Sequence, residues 1–351
     1  MGRAKRDIFA AAGPASVMGD LGKVDGEFLR ETVYPHLGAE RDDVRIGPTA
    51  GVDFGVLDVG GRALVLATDP LSLPPGLGFE RAGRFALDIC LADVAVSGIA
   101  PSHVAVGFSL PPAMTDEQFA AAWRAMDERA RELGVSVATG HTARYAGVEF
   151  PWVGAATVLG VGDHEDVIRP DGAEPGDALV VATGPAAETA GLFATMFPDA
   201  LGLDAATVAT AQERLDDVAC VEDALTAADA GRVHAMHDAT ECGLQGGLVE
   251  MAASAGVRVD LEPDALPYGD GVRAVCDAIG VDPLQVTSSG TLLVAVESAD
   301  ATAVVDALRD RGTRATVTGR VRDGDGLYAD GERLDHPGTD PSWAAYERFQ
   351  E

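Results

Sequence analysis

The chain has 351 residues, 47% of them hydrophobic, with 56 acidic against 26 basic side chains and a net charge of −30. That length supports two domains around a sizeable core, and the composition excludes a disordered chain. The charge excludes a nucleic-acid surface, which needs a positive footprint. No apolar run approaches the roughly 20 residues of a membrane span, so no membrane partner is expected.

The segment from Met1 to Asp7 leads into a short alanine-rich stretch rather than a signal peptide, and a cytoplasmic protein is expected. Lysine occurs at Lys5 and Lys23 alone, and the acids are dispersed. This pattern suits a high-salt cytoplasm, where carboxylates hydrate the surface and mobile ions screen their repulsion. Cys90, Cys220, Cys242 and Cys276 form no CxxC pair and no disulfide framework.

In chain order, Gly19-Asp20-Leu21-Gly22-Lys23 falls short of a P-loop, which needs Gly-x4-Gly-Lys-Ser/Thr after a strand. Lys23 is either an exposed charge or a phosphate contact. Residues 27–37 read as a helix, with Phe28, Leu29, Val33 and Leu37 at helical spacing. Residues 52–59 and 62–68 read as two strands joined by Gly60-Gly61. That hairpin brings Asp53, at the entry of the first, close to Asp69, at the exit of the second. Two neighbouring carboxylates repel unless a cation lies between them. A divalent ion explains the pair; two solvated loop acids are the alternative.

Residues 79–96 read as an apolar helix carrying Asp88 and Asp93. An ionised carboxylate in such a setting must pair, bind a metal or change its pKa. The two acids lie about 140° apart around the helix, so one ion does not take both, and Arg84 is the expected partner of Asp88. A strand over 102–110 precedes a helix starting at Thr115, with Phe119, Trp123, Met126 and Ala130 as its core stripe. A strand over 135–139 leads to Gly140-His141-Thr142, a small-residue turn able to cradle phosphate oxygens. Another strand follows over 150–161.

Asp, Pro and Gly cluster over 162–176, and the domain boundary is placed there, giving domains of 1–165 and 166–351. The second half alternates strands and helices. Glu188 falls on its first helix, and one long helix spans 207–228. A strand over 233–236 opens onto His237-Asp238-Ala239-Thr240-Glu241-Cys242-Gly243 and a helix to Ala255. Ser288-Ser289-Gly290 precedes a strand over 291–296. His141 and His237 are candidate proton carriers, or structural hydrogen-bonding histidines.

Several motifs in order carry a resemblance: Gly51-Val52-Asp53, Thr68-Asp69-Pro70, Ala92-Asp93 through Ala100-Pro101, Gly140-His141-Thr142, Pro175-Gly176-Asp177, His237-Asp238-Ala239-Thr240-Glu241 and Ser288-Ser289-Gly290. Over about residues 20–330 the chain resembles the AIR-synthase-related, PurM-like superfamily of ATP-binding enzymes, on its HypE-like archaeal side. The resemblance implies an α/β N-terminal domain forming a barrel across a homodimer, and a C-terminal α+β domain. It implies ATP and Mg2+ as cofactors and a small-molecule substrate. By the same resemblance Asp53, Asp69 and Asp93 hold the metal. Gly140, His141 and Thr142 approach the phosphates, Lys23 contacts them, and Asp238 and Glu188 line the cleft from the second domain, with Asp238 joining His141 and His237 as catalytic candidates. The chemistry implied is activation of a substrate oxygen by phosphoryl transfer. A thiamine-monophosphate-kinase-like phosphotransferase and a nucleotide-binding scaffold without turnover are the alternatives. The family often carries Asn where this chain has Ala92, and the last cysteine here is Cys276, far from the C-terminus.

Overall fold

Residues 22–24, 26–49 and 51–350 are described in the computed structural model. The Gly19-Asp20-Leu21 part of the N-terminal motif and the first seven residues lie outside them. Where a helix is expected over 27–37, the chain makes a single turn, α1 (Gly26–Phe28), a wider turn over Leu29–Val33 and a 3-10 turn over Tyr34–His36. Pro35, which lacks an N–H, interrupts the helical ladder. Phe28, Val33 and Leu37 are exposed rather than core.

Period-two patterning builds the first sheet. Its strands are β1 (Val44–Ile46), β2 (Gly55–Val59), β3 (Arg62–Ser72), β4 (Pro101–Leu110), β5 (Ser136–Arg144) and β6 (Trp152–Gly162), in the order β1-β2-β3-β6-β4-β5. The β4–β5 pair is parallel and the other pairs are antiparallel. Ala63, Val65 and Ala67 alternate inward against α2 (Phe79–Ala95) and α3 (Asp116–Glu132). Helix α3 starts at the expected cap: the Gln118 N–H donates to the Thr115 hydroxyl at 3.2 Å, and the Thr115 N–H to the Gln118 side chain at 2.9 Å. Apolar Val59, Val137, Tyr145, Trp152 and Val161 stay exposed.

Two boundaries differ from the sequence reading. Strand β3 does not stop at Thr68; it runs through Asp69 and Pro70, paired with β6 as Asp69↔Ala156 and Pro70↔Ala155. Strand β2 reaches only to Gly55, opposite Leu66, so one edge of β3 is open over 67–72 and tolerates a proline. Gly140-His141-Thr142 is not a turn after a strand but lies inside β5. A Cβ on Gly140 would sit 2.7 Å from the Val106 carbonyl oxygen, so this glycine serves the close approach of β5 to β4.

The second sheet has seven strands: β7 (Ala178–Ala182), β8 (Val233–Ala239), β9 (Arg258–Leu261), β10 (Thr291–Val296), β11 (Ala315–Arg322), β12 (Gly326–Ala329) and β13 (Glu332–Leu334), ordered β13-β12-β9-β11-β7-β10-β8. The helices are α4 (Ala187–Met196), α5 (Ala205–Gln212), α6 (Val221–Ala230), α7 (Gly243–Ala255), α8 (Val272–Ile279), α9 (Ala301–Asp310) and α10 (Pro341–Gln350). Strands β7 and β10 are buried at every position because both faces are covered. Val180 and Val294 join the α6–α9 core, which is continuous with the first sheet's, while Val181 and Leu293 face α7. The single helix expected over 207–228 is three pieces: α5, a 3-10 stretch over Glu213–Val218, and α6. Leu215 packs there against Gly191 of α4, where a Cβ would sit 2.7 Å from it. The C-terminal helix α10 packs Tyr346 and Phe349 on Phe193 and Phe197 of the α4 region.

Asp88 is buried as expected, but its main partner is Arg129 of α3, whose Nε donates at 2.6 Å; Arg84 lies 4.0 Å away and turns to Glu132. The Arg129 guanidinium also binds Glu222 of α6 at 2.8 and 3.2 Å, tying the two halves together. Its fork meets three carboxylates at once, Glu132 being the third at 3.3 Å, which the i−4 neighbour does not.

Candidate functional site

The site is assembled from both halves. Asp69 comes from β3, Asp93 from the last turn of α2, and Asp53 from the loop before β2. That loop is seated by Gly51, at φ +75°, where a Cβ would lie 3.1 Å from the Glu250 carbonyl oxygen. His237 and Asp238 lie within β8, which extends three residues beyond the strand expected from the sequence, so the motif is held by pairing with Leu293 and Leu292 of β10.

The electrostatics of this cluster are those of crowded carboxylates. Burial first, then the charges of Asp69, Asp238 and Asp53, push Asp93 well above its ordinary value. Burial likewise raises Asp69, against a hydrogen bond from Asp93 and the charge of Lys23. A proton is thus shared between them, Asp93 donating to Asp69. Burial and the charge of Asp53 raise Asp238 to about 7. The Lys23 ammonium is pulled down by desolvation, but the charges of Glu250, Asp53, Asp238 and Glu241 outweigh that and raise it. Lys23 therefore faces the cluster as a fixed cation.

Its backbone is clamped too. The Lys23 N–H donates to both carboxylate oxygens of Glu241, at 3.0 and 3.1 Å, and the Trp343 indole N–H of α10 donates to the same carboxylate at 2.9 Å. Gly22, at φ +107°, leaves room for that carboxylate.

His237 Nδ1 lies 3.0 Å from Asp53 Oδ2, and its Nε2–H donates to Glu250 Oε2 at 3.1 Å. His336 Nε2 reaches Glu250 Oε1 at 3.5 Å. Burial opposes protonation of His237, yet the charges of Asp53 and Glu250 hold its pKa well above normal. Burial also opposes ionisation of Glu250, but hydrogen bonds from His237 and His336 hold it far below the usual carboxylate range.

Asp53 Oδ2 and Asp238 Oδ1 are buried without a hydrogen-bond partner. Two buried carboxylate oxygens with unmet acceptors fit a cation such as Mg2+, and the lysine beside them fits the phosphates such an ion accompanies. Asp53, Asp69, Asp93, Asp238 and Lys23 are thus brought together. His141 and Glu188 are not. His141 and its neighbours Gly140 and Thr142 sit on the exposed strand β5, where His141 contacts Tyr145 at 3.1 Å. Glu188 is buried at the start of α4. Its carboxylate accepts from the Thr287 hydroxyl at 2.9 Å and the Ser289 N–H at 2.8 Å, so it holds the 287–290 loop rather than facing the aspartates. Two open cavities, of about 770 and 520 Å3, lie elsewhere, beside α2–α3 and beside β11. The arginines of the first pair with Asp216 and Glu132, as on ordinary surface.

Glu250, His336 and Trp343 surround the cluster without being announced by any motif, and Glu241, though it ends the His237–Glu241 motif, is given no role by the sequence. Glu250 leaves one signal: it is the lone charged residue in the 243–255 helix, under the same rule that marks Asp93. His336 and Trp343 leave none, since tertiary folding alone brings the C-terminal segment here.

Carboxylates of the two α/β halves thus gather beside one lysine. Residues 51–161 match the family model described as AIR synthase related protein, N-terminal domain, and residues 174–332 match its C-terminal domain. The chain belongs to the AIR synthase related protein family. It is 30% identical over 336 residues to the carbamoyl dehydratase HypE of Escherichia coli, covering 91% of this chain and 93% of that one. Among solved structures it is similar to a ThiL protein complexed with AMPPCP and TMP, with a TM-score of 0.70 at 20% identity over 91% and 98% of the two chains. It is also similar to a hydrogenase maturation protein HypE in complex with ATP, with a TM-score of 0.65 at 22% identity over 89% and 93%. The fold is the PurM-like two-domain fold. No helix among the described residues is long and apolar enough to cross a membrane.

Proposed function

We propose that this chain is an ATP-dependent enzyme that activates an oxygen of a small-molecule substrate by phosphoryl transfer. The observation that carries this reading is the gathering of Asp53, Asp69 and Asp238 about Lys23 across the two halves, with Asp93 beside the same acids. Bound Mg-ATP supplies the phosphoryl group, with the metal screening its charge. Asp53, Asp69, Asp93 and Asp238 are the metal-holding residues, and Lys23 neutralises the phosphates. Glu241 and Trp343 hold Lys23 in place from behind. Asp238, raised to about 7, is the group best placed to exchange a proton near neutrality. The chain divides at about residue 165 into the half that carries three of the acids and the half that carries Asp238.

The acceptor is not a thiol of this chain. All four cysteines are buried, and burial pushes Cys242 and Cys276 up to about 12 and Cys90 and Cys220 well above normal. That supports a diffusible acceptor. The active form is a homodimer in which the exposed face of the first sheet meets its copy and closes a barrel. Both faces of β5 are exposed along most of its length, and Val137, Tyr145, Trp152 and Val161 await cover. His141, with Gly140 and Thr142, then serves the nucleotide from that interface.

Calorimetric titration with Mg-ATP in molar KCl tests the reading, with products followed by phosphorus NMR. Magnesium-dependent binding that Asp69→Asn loses is expected. A folded native protein that binds no nucleotide refutes it. The ThiL-like fold favours one second reading, a phosphotransferase; a stable phosphorylated product, rather than released phosphate, identifies it.

A further inference from the structure

We infer that Asp53, His237 and Asp238 form a mixed nitrogen–oxygen metal site, with Nδ1 of His237 as the nitrogen donor, that takes a first-row transition ion in preference to magnesium. This deepens the reading above, and rests on it only in placing a cation at the acid cluster.

Among the described residues, these three form the group whose ligand atoms, one from each, all lie within 4.8 Å of one another. The same three residues carry three of the buried side-chain atoms left without a hydrogen-bond partner: Asp53 Oδ2, His237 Nδ1 and Asp238 Oδ1. His237 and Asp238 are 2% exposed, so water does not satisfy them. Nδ1 stands 3.0 Å from Asp53 Oδ2, an ion pair when the ring carries its second proton, and 4.0 Å from Asp238 Oδ1. A ring nitrogen wedged between two buried carboxylates is an arrangement in which a cation takes the place of the ring's own proton.

The other side of the ring is built as metal-binding imidazoles are. Nε2–H donates to Glu250, which His336 steadies from its other oxygen, and His336 Nδ1 in turn accepts the Gly338 N–H at 3.0 Å. A carboxylate on the distal ring nitrogen fixes the tautomer and turns the other nitrogen's lone pair to the metal. Glu250 is therefore a positioning residue. Magnesium takes oxygen ligands and dehydrates reluctantly, whereas an imidazole in the set favours later first-row ions. Asp69 and Asp93, which share a proton with each other, remain an oxygen-only pair beside this site.

The test uses the whole protein and Mn2+ alone as the probe. Bound Mn2+ is expected to show nitrogen modulation in pulsed EPR that changes when histidine is 15N-labelled, and to bind at least about tenfold more tightly than Mg2+ in competition. His237→Gln should abolish the modulation and collapse that preference. Glu250→Gln should weaken Mn2+ binding by about 10–100-fold. Bound Mn2+ with no nitrogen signal in the native protein overturns the inference and leaves the metal-nucleotide reading standing. Failure to bind Mn2+ at all, with or without ATP, overturns both. Because the isotope experiment is done on the native chain, the outcome stands even if His237→Gln does not fold.

Discussion

Arg129→Met offers a quantitative test of how the two halves are joined. Arg129 and Asp88 are 3% and 2% exposed, and the pair is 2.6 Å apart. Methionine keeps most of the buried stem, so the loss is one of charge and hydrogen bonds rather than of volume. Breaking one partner of a buried pair costs about 3–5 kcal/mol, because the other charge is left uncompensated. Arg84 stays 4.0 Å from Asp88 but is half exposed, and burial already raises the Asp88 pKa, so a proton relieves part of the strain. The lower end, about 3 kcal/mol, is expected. The double variant Arg129→Met/Asp88→Leu removes the stranded acid and should regain about 2 kcal/mol of that. Urea unfolding at a fixed molar KCl concentration, read by circular dichroism and tryptophan fluorescence together, measures both. A single-variant cost below about 1 kcal/mol, or a double variant no better than the single, would refute the argument.

Glu222, another member of that network, is held below the usual carboxylate range first by its hydrogen bond from Arg129. A depressed folded pKa stabilises above the unfolded value, about 4.3, and the benefit is lost as pH falls through the folded value. Its side chain is 37% exposed, so Glu222→Gln should cost less than about 1 kcal/mol at pH 7, and the gap to the native protein should close toward pH 3. A gap that does not change with pH contradicts the assignment. On the open sheet, Val161→Glu places a charge where Val161 is 50% exposed in the monomer and covered in the proposed dimer. Light scattering should show the native mass halved, with the melting profile retained; an unchanged dimer removes this face from the interface.

Much of the site was legible because a buried carboxylate is costly and must have a reason. That rule marks Asp93 inside an apolar helix, and the Gly60-Gly61 hairpin already brings Asp53 to Asp69. The strand-helix alternation, the Thr115 cap and the two-half organisation follow from local periodicity, which the chain carries in its own order. Local signals failed where a neighbour in space set the answer. Gly140-His141-Thr142 looks like a phosphate turn in one dimension, but pairing with β4 draws it into β5. Glu188 looks free for a ligand until the 287–290 loop takes its carboxylate. Arg129, Glu250 and Trp343 are 41, 13 and 102 residues from the side chains they serve, Asp88, His237 and Glu241. No spacing rule spans such separations. The sequence by itself determined which groups are costly to bury and where chain direction changes. The tertiary structure alone decided which of them compensate one another, because electrostatic and hydrogen-bond partnership depends on distance in space and not along the chain.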